Sequence, residues 1–293
     1  MKKDRVPPLT IIAAQISNDA AEKASGISIV LLIILMIFSV CVLSYSFIAQ
    51  RVTQSLGMAD AALYPGFGAA LKALGSQSGS FRVNGGVLEI SDDFPRRLES
   101  SGWIILSGSE HPSDALEAEK SGSYMPVFVL GVNGLIISQP LYSVRLSAPW
   151  KTLGLFSSAE IKKASVNTDS FVTYIQAFLF SASTAEVPSA ILTLLLLMTV
   201  QYLFFILVAS FLLSISHIRS MKGTSYEKRT SFLSSIKILS VVGILPALIV
   251  ALTAAINPSF GITFGWILYS LVTGIRAVSI YMKRMKSRPV TGL

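Results

Sequence analysis

Charge is scarce in this 293-residue chain: Asp, Glu, Lys and Arg make up 14% of it, where a soluble globular protein carries about 25%. With 52% hydrophobic residues and a mean hydropathy of +0.63, that scarcity excludes an ordinary soluble protein and indicates an integral membrane protein. Cysteine is nearly absent. The one thiol, Cys41, sits inside an apolar run, which excludes an intrachain disulfide and predicts an inert side chain, packed or facing lipid. Acids are missing from every apolar run, which argues against a transporter coupled to protons or cations through intramembrane carboxylates. No Gly-x-x-x-x-Gly-Lys-Ser/Thr loop occurs, so the chain is not itself an ATPase. The absence of any Asn-x-Ser/Thr sequon fits a prokaryotic exterior domain.

Long apolar sequence is present instead. Runs at 27–49, 190–213, 238–256 and 262–281 each approach the roughly 20 helical residues that cross about 30 Å of hydrocarbon. In lipid every backbone N–H and C=O must be satisfied within its own segment, so the runs predict four transmembrane helices. The first run is too long for a signal-peptide core of about 7–15 residues and ends without a small-x-small cleavage site, so it reads as a retained anchor. Before it, residues 10–23 read as a weakly amphipathic helix that follows Pro7 and Pro8.

The net charge of +8 resides mainly at the ends of these runs. Lys2, Lys3, Arg5 and Lys23 precede the first. Arg219, Lys222, Lys228, Arg229 and Lys237 occupy the connection 214–237, and Lys283, Arg284, Lys286 and Arg288 the tail 282–293, whereas the connection 257–261 carries no charge. Bases flanking spans mark the cytoplasmic side, so segments 1–26, 214–237 and 282–293 are expected there and 50–189 outside. Distributed in this way the bases are topology signals; the expected partner is the lipid bilayer, not nucleic acid.

Residues 50–189 differ in composition, and 51–189 carry twelve acids against ten bases. Two short apolar runs flank Asn84-Gly85-Gly86 and two more flank Val132-Asn133-Gly134; Asn-Gly tolerates positive φ and predicts a hairpin in each case. Residues 103–106 read as a strand, 59–74 and 113–120 as helices, and 75–79 as a loop. The expected fold class is therefore an α-helical integral membrane protein with four transmembrane helices and an extracytoplasmic α+β domain between the first and second. That domain ends in a helix over 165–185 whose apolar spacing suggests an interfacial position.

Chemistry-bearing residues are few. His111, beside Glu110 and before Pro112, is one potential ligand where zinc needs three or four, and reads as a solvated turn. Asp92-Asp93 precede Phe94-Pro95 in a turn, with Arg96 and Arg97 close enough to neutralise them. Gly75-Ser76-Gln77-Ser78-Gly79 places Gln77 where a nucleophile elbow would need its serine. Within the spans, Gln201 should seek a partner on another helix, Arg276 should snorkel to the cytoplasmic interface, Lys237 should be interfacial, and Pro246 should kink its helix. Gly261 and Gly265 make a Gly-x-x-x-Gly, a spacing that also arises by chance. No catalytic, cofactor-binding or metal-binding residue emerges, and a non-enzymatic role is expected.

The order of these parts, with Arg229-Thr230-Ser231-Phe232, Gly243-Ile244-Leu245-Pro246-Ala247 and Phe264-Gly265-Trp266-Ile267-Leu268-Tyr269, resembles a bacterial membrane family known as domain of unknown function 1189. The resemblance covers most of the chain from Ile27 onward. The family's aspartate soon after the position of 103–106 is missing here, where Ser107, Gly108 and Ser109 follow. Some members bear a maltodextrin-utilisation label, which implies an accessory role near sugar uptake in the inner membrane. In topology the chain is also similar to the non-transporting, permease-like partner of a cell-division ATPase, which relays signals to the cell envelope. That family's charged coupling segment is not matched, since 216–235 is basic with Glu227 its one acid.

Overall fold

The computed structural model describes residues 7–120, 124–220 and 231–286. Lys2, Lys3, Arg5, Lys222, Lys228, Arg229 and Arg288 of the basic flanks lie outside them. The chain begins with α1 (Pro8–Ala13), α2 (Asn18–Lys23) and a 3-10 turn at Ala24–Gly26, then enters α3 (Ile29–Gly57). The single helix expected over 10–23 is thus two. The first ends at Ala13, and Ser17 caps the second, its hydroxyl accepting from the Ala20 N–H.

After α3 come α4 (Phe67–Gly75), β1 (Phe81–Asn84), β2 (Val87–Ile90), β3 (Arg97–Ser100) and β4 (Trp103–Ser109). The chain continues through α5 (Pro112–Lys120), β5 (Val127–Gly131), β6 (Gly134–Gln139), β7 (Val144–Pro149), α6 (Trp150–Leu153), α7 (Ser158–Ala164) and α8 (Thr168–Thr184). It closes with α9 (Val187–Ser220), α10 (Phe232–Val242), α11 (Ile244–Ile256) and α12 (Pro258–Lys286). Two compact units result: Met1–Gln50 with Ile191–Leu293, and Arg51–Ala190.

In the sheet unit, β1 and β2 pair antiparallel from Phe81↔Ile90 to Asn84↔Val87, leaving Gly85 and Gly86 as a two-residue turn with φ of 59° and 85°. Positive φ at both turn residues is what joins twisted strands tightly, so the expected hairpin forms, with the two glycines as its turn and Asn84 as the last strand residue. Across this hairpin Arg82 Nε meets Glu89 Oε2 at 2.6 Å and Asn84 Nδ2 donates to Oε1 at 3.0 Å. The Arg82 hydrogen bond, then that of Asn84, holds the Glu89 carboxyl below the usual carboxylate range. A depressed folded-state pKa contributes stability above the ordinary value of about 4.3 and loses it as pH falls through the lowered one. Protection of the β1 and β2 amides, relative to the intrinsic exchange rate at each pH, should therefore fall on acidification below about 4.3, and Glu89→Gln should abolish the dependence.

The main sheet has the order β3-β4-β5-β6-β7, all antiparallel except β4 with β5, which run parallel and are linked by α5. Both faces are covered. Ile104, Val127, Val129 and Ile136 pack with Leu116 of α5, while Phe128, Leu130, Leu135, Ile137 and Leu146 point into a larger core on the other face. That core includes Phe67 and Leu71 of α4, Trp150 of α6, Ile161 of α7, and Phe178 and Leu179 of α8. Helix α8 thus has a protein partner for the apolar stripe that suggested an interfacial position: it closes the domain's own core. The helix expected over 59–74 is interrupted, with a 3-10 turn at Ala61–Leu63 and Gly66 at φ 79° before α4 starts. A Cβ at Gly66 would stand 2.7 Å from the Ser101 carbonyl oxygen, so glycine is required there.

Four helical stretches are long and apolar enough to cross a membrane: Ile29–Gly57, Thr168–Ser214, Phe232–Ile256 and Pro258–Met282, of which residues 51–57 and 168–190 belong to the sheet unit and the rest to the other. Their exposed side chains include Ile33, Ile37, Phe204, Leu271 and Ile275, which suits contact with lipid. The third stretch is two helices, α10 and α11, divided at Gly243. Between α11 and α12 one residue, Asn257, is outside a helix, so the connection expected over 257–261 is shorter than read. The Asn257 side chain accepts from the Phe260 N–H at 3.1 Å and caps α12. The Gly261–Gly265 pair is put to use at this crossing. A Cβ on Gly265 would lie 2.8 Å from Val250 Cγ1, and one on Gly261 would overlap Ala254, so the glycines let α11 and α12 approach closely.

Candidate functional site

Helix α9 presents Met198, Tyr202 and Ile206, one turn apart, to the middle of the bundle. There Tyr202 meets Ser39 of α3, Ser240 of α10 and Tyr269 of α12, Tyr269 in turn meets Thr273, and all five residues are fully buried. The Tyr202 hydroxyl faces those of Ser39, Ser240 and Tyr269, and the Tyr269 hydroxyl faces that of Thr273. None of these approaches meets the geometry of a formed hydrogen bond, and the five oxygens are left without a partner of that kind. The two tyrosine rings lie 6.1 Å apart, and Phe205 and Trp266 flank Tyr269 at 5.6 Å and 5.4 Å. Burying a hydroxyl without a hydrogen bond costs on the order of 1–3 kcal/mol, so five on one spot mark the place where the apolar bundle departs most from its own rule. Chemically the cluster supplies neutral donors and acceptors, suited to hydrogen bonding and not to acid–base work.

Gly243 borders this cluster. A Cβ built on it would stand 2.7 Å from the Tyr269 hydroxyl and 3.1 Å from the Leu239 carbonyl oxygen. Gly243→Ala should therefore displace the tyrosine and lower the thermal midpoint despite alanine's better helix propensity, by about 1–3 kcal/mol in stability, the ordinary cost of overpacking. Tryptophan and tyrosine fluorescence on heating would measure it.

On its other side the α10–α11 joint is held by the segment before α3. Gln15, between α1 and α2, donates through Nε2 to the Val241 carbonyl at 2.8 Å and the Ile11 carbonyl at 3.0 Å, and its Oε1 accepts from the Leu245 N–H at 3.1 Å. Leu245 N–H to Val241 C=O is the i to i−4 bond that an unbroken helix would form. The Gln15 carboxamide is inserted into that gap and satisfies both ends. Two further ties fix the same segment. Arg276 Nη1 donates to Asn18 Oδ1 and Nη2 to the Ala14 carbonyl at 3.4 Å, and Lys237 Nζ donates to the Ile27 carbonyl at 2.6 Å.

Arg276 is thus half-buried beneath α1 and α2 instead of reaching freely outward, and Lys237 is also partly buried. Gln201, the amide expected to bridge helices, forms no hydrogen bond to another helix among the described residues; its neighbour Tyr202 is the polar group directed inward. Pro246 is buried in α11, and the interruption falls three residues earlier, at Gly243. Proline lacks the N–H that would bond the Val242 carbonyl, so the helix yields on the N-terminal side of the ring. Cys41 is exposed on α3, bordering an apolar groove of about 370 Å³ with Ile33, Ile37, Leu195 and Leu203.

In the sheet unit, His111 is exposed at the start of α5, and its carbonyl accepts from the Ala115 N–H. Asp92 and Asp93 are exposed in the turn after β2, but Arg97 pairs with Glu99 at 2.7 Å and Glu119 at 2.9 Å, not with them. Among the described residues no three His, Cys, Asp or Glu side chains gather as a metal site. A cleft of about 450 Å³ opens beside β1 and β2, lined by Ser80, Arg82, Glu89, Ser91, Ser157 and Ser158.

The signals missed in the sequence were Tyr202, Tyr269 and Gln15. Tyrosine in an apolar run reads as an aromatic, and only the i, i+4, i+8 register of Met198, Tyr202 and Ile206 set Tyr202 apart. No family model, curated protein or solved structure matches this chain.

Proposed function

We propose that the chain is a non-enzymatic bacterial inner-membrane protein that senses or scaffolds a partner through its sheet domain and is accessory to a transporter. The observation that carries this reading is the insertion of a separately cored sheet domain between the first and second apolar helices. A folded domain inside a membrane-embedded chain suits a receptor or scaffold surface, and its serine-lined cleft beside the Arg82–Glu89 pair offers hydrogen bonds to a polar ligand such as a sugar. The basic flanks support both termini in the cytoplasm and the sheet domain outside.

Two experiments test the parts separately. Alkaline phosphatase fused near residue 120 should be active and near residue 225 inactive; the reverse pattern would invert the orientation. Crosslinking in whole cells followed by mild detergent extraction should recover a partner protein bound through residues 51–190. A chain that emerges alone would sink the scaffolding role while leaving the orientation intact.

A further inference from the structure

The five buried hydroxyls at the centre of the bundle need a partner that the protein's own side chains do not provide. Ser39, Tyr202, Ser240, Tyr269 and Thr273 come from four different helices, and their oxygens face one another without closing a hydrogen bond. Buried groups in this condition are the usual hosts of internal water, which takes two to four hydrogen bonds and requires a polar site.

We propose that this cluster is an internal hydration site, holding ordered water bridged among the Tyr202, Tyr269, Ser39, Ser240 and Thr273 hydroxyls. Its lining favours water over an ion. The hydroxyls are neutral, the surrounding side chains include Phe205, Trp266, Leu239 and Ala247, and no acid lies in α3, α9, α10, α11 or α12 to balance a buried charge. The position also has a use. Ser240 precedes the Gly243 joint by three residues, and the Tyr269 hydroxyl abuts that glycine. Water bridging the two can exchange partners as α10 and α11 change angle, so the joint can bend without stranding a hydroxyl in hydrocarbon.

Radiolytic hydroxyl-radical footprinting of the full-length protein in nanodiscs tests this, because bound water generates label on side chains that bulk solvent does not reach. Tyr202 and Tyr269 should be oxidised at least several-fold faster than their neighbours Phe205 and Trp266. The combined variant Ser39→Ala, Ser240→Ala, Thr273→Ala should bring both tyrosines down to that background. If the tyrosines are unlabelled in the native chain, or are labelled equally in the variant, the hydration site is refuted. A thermal midpoint that rises in sodium or potassium over choline at equal ionic strength would also overturn it, since the cluster would then hold a cation.

Discussion

Replacing Gln15 by leucine is expected to loosen the third apolar stretch at its joint, destabilising it by about 1–3 kcal/mol. The substitution keeps the apolar volume and removes the carboxamide, stranding the Leu245 N–H that it meets at 3.1 Å, while the Val241 carbonyl, 2.8 Å from Nε2, keeps a backbone N–H donor at the end of α10. Each unsatisfied backbone group costs about 1–3 kcal/mol, and lipid offers no water in compensation. Hydrogen exchange at the Leu245 amide should quicken about 5- to 150-fold, at about 1.4 kcal/mol per tenfold. Gln15→Glu retains an acceptor for Leu245 but as a carboxylate loses the donor to Val241, and should fall between the two. Unchanged protection in the leucine variant would mean that the joint is held by packing alone.

The second large effect belongs to Trp150. Its ring is 1% exposed and stacks on Phe156 at 5.4 Å and 15°, while Nε1 donates to the Gly131 carbonyl at 2.8 Å. Phe156 in turn stacks on Phe178 at 4.9 Å, which lies 6.2 Å from both Phe67 and Phe128, so Trp150 ends a row of rings joining α6, α8, α4 and β5. Trp150→Ala removes the ring, leaves a cavity, and frees a buried carbonyl; truncations of this size cost about 3–5 kcal/mol. Trp150→Phe keeps most of the packing and should cost about 1–2 kcal/mol, mainly the lost hydrogen bond. Proteolysis of the sheet domain in the full-length protein would rank the variants, and equal resistance of Trp150→Ala and the native chain would contradict this assignment.

How much was readable beforehand depended on whether a signal was local. The four apolar stretches and both hairpins declared themselves in local sequence, but neither hairpin turns on an Asn-Gly pair at positive φ: the first uses Gly85-Gly86, and in the second neither Asn133 nor Gly134 has a positive φ. Strand β3 did not: Arg97-Leu98-Glu99-Ser100 holds a single apolar residue, and its place at the sheet edge suits charge. Strand β7 hid its alternation of Val144, Leu146 and Ala148 behind Ser147 and Pro149, weak strand formers. Pro246 announced a distortion, but its location at Gly243 depended on Gln15, 230 residues away in sequence and joined only by the fold. The same distance concealed the hydroxyl cluster, since Ser39 and Thr273 are unremarkable until four helices bring them together.

Asn257, the lone non-helical residue between α11 and α12, constrains how the protein is made. A link of one residue cannot let one helix enter the bilayer and settle while the other waits at the translocon. In a membrane the last two apolar stretches would therefore enter as a helical hairpin, with the glycines at 261 and 265 against Ala254 and Val250. Any biosynthetic error that turned one of them over would turn both.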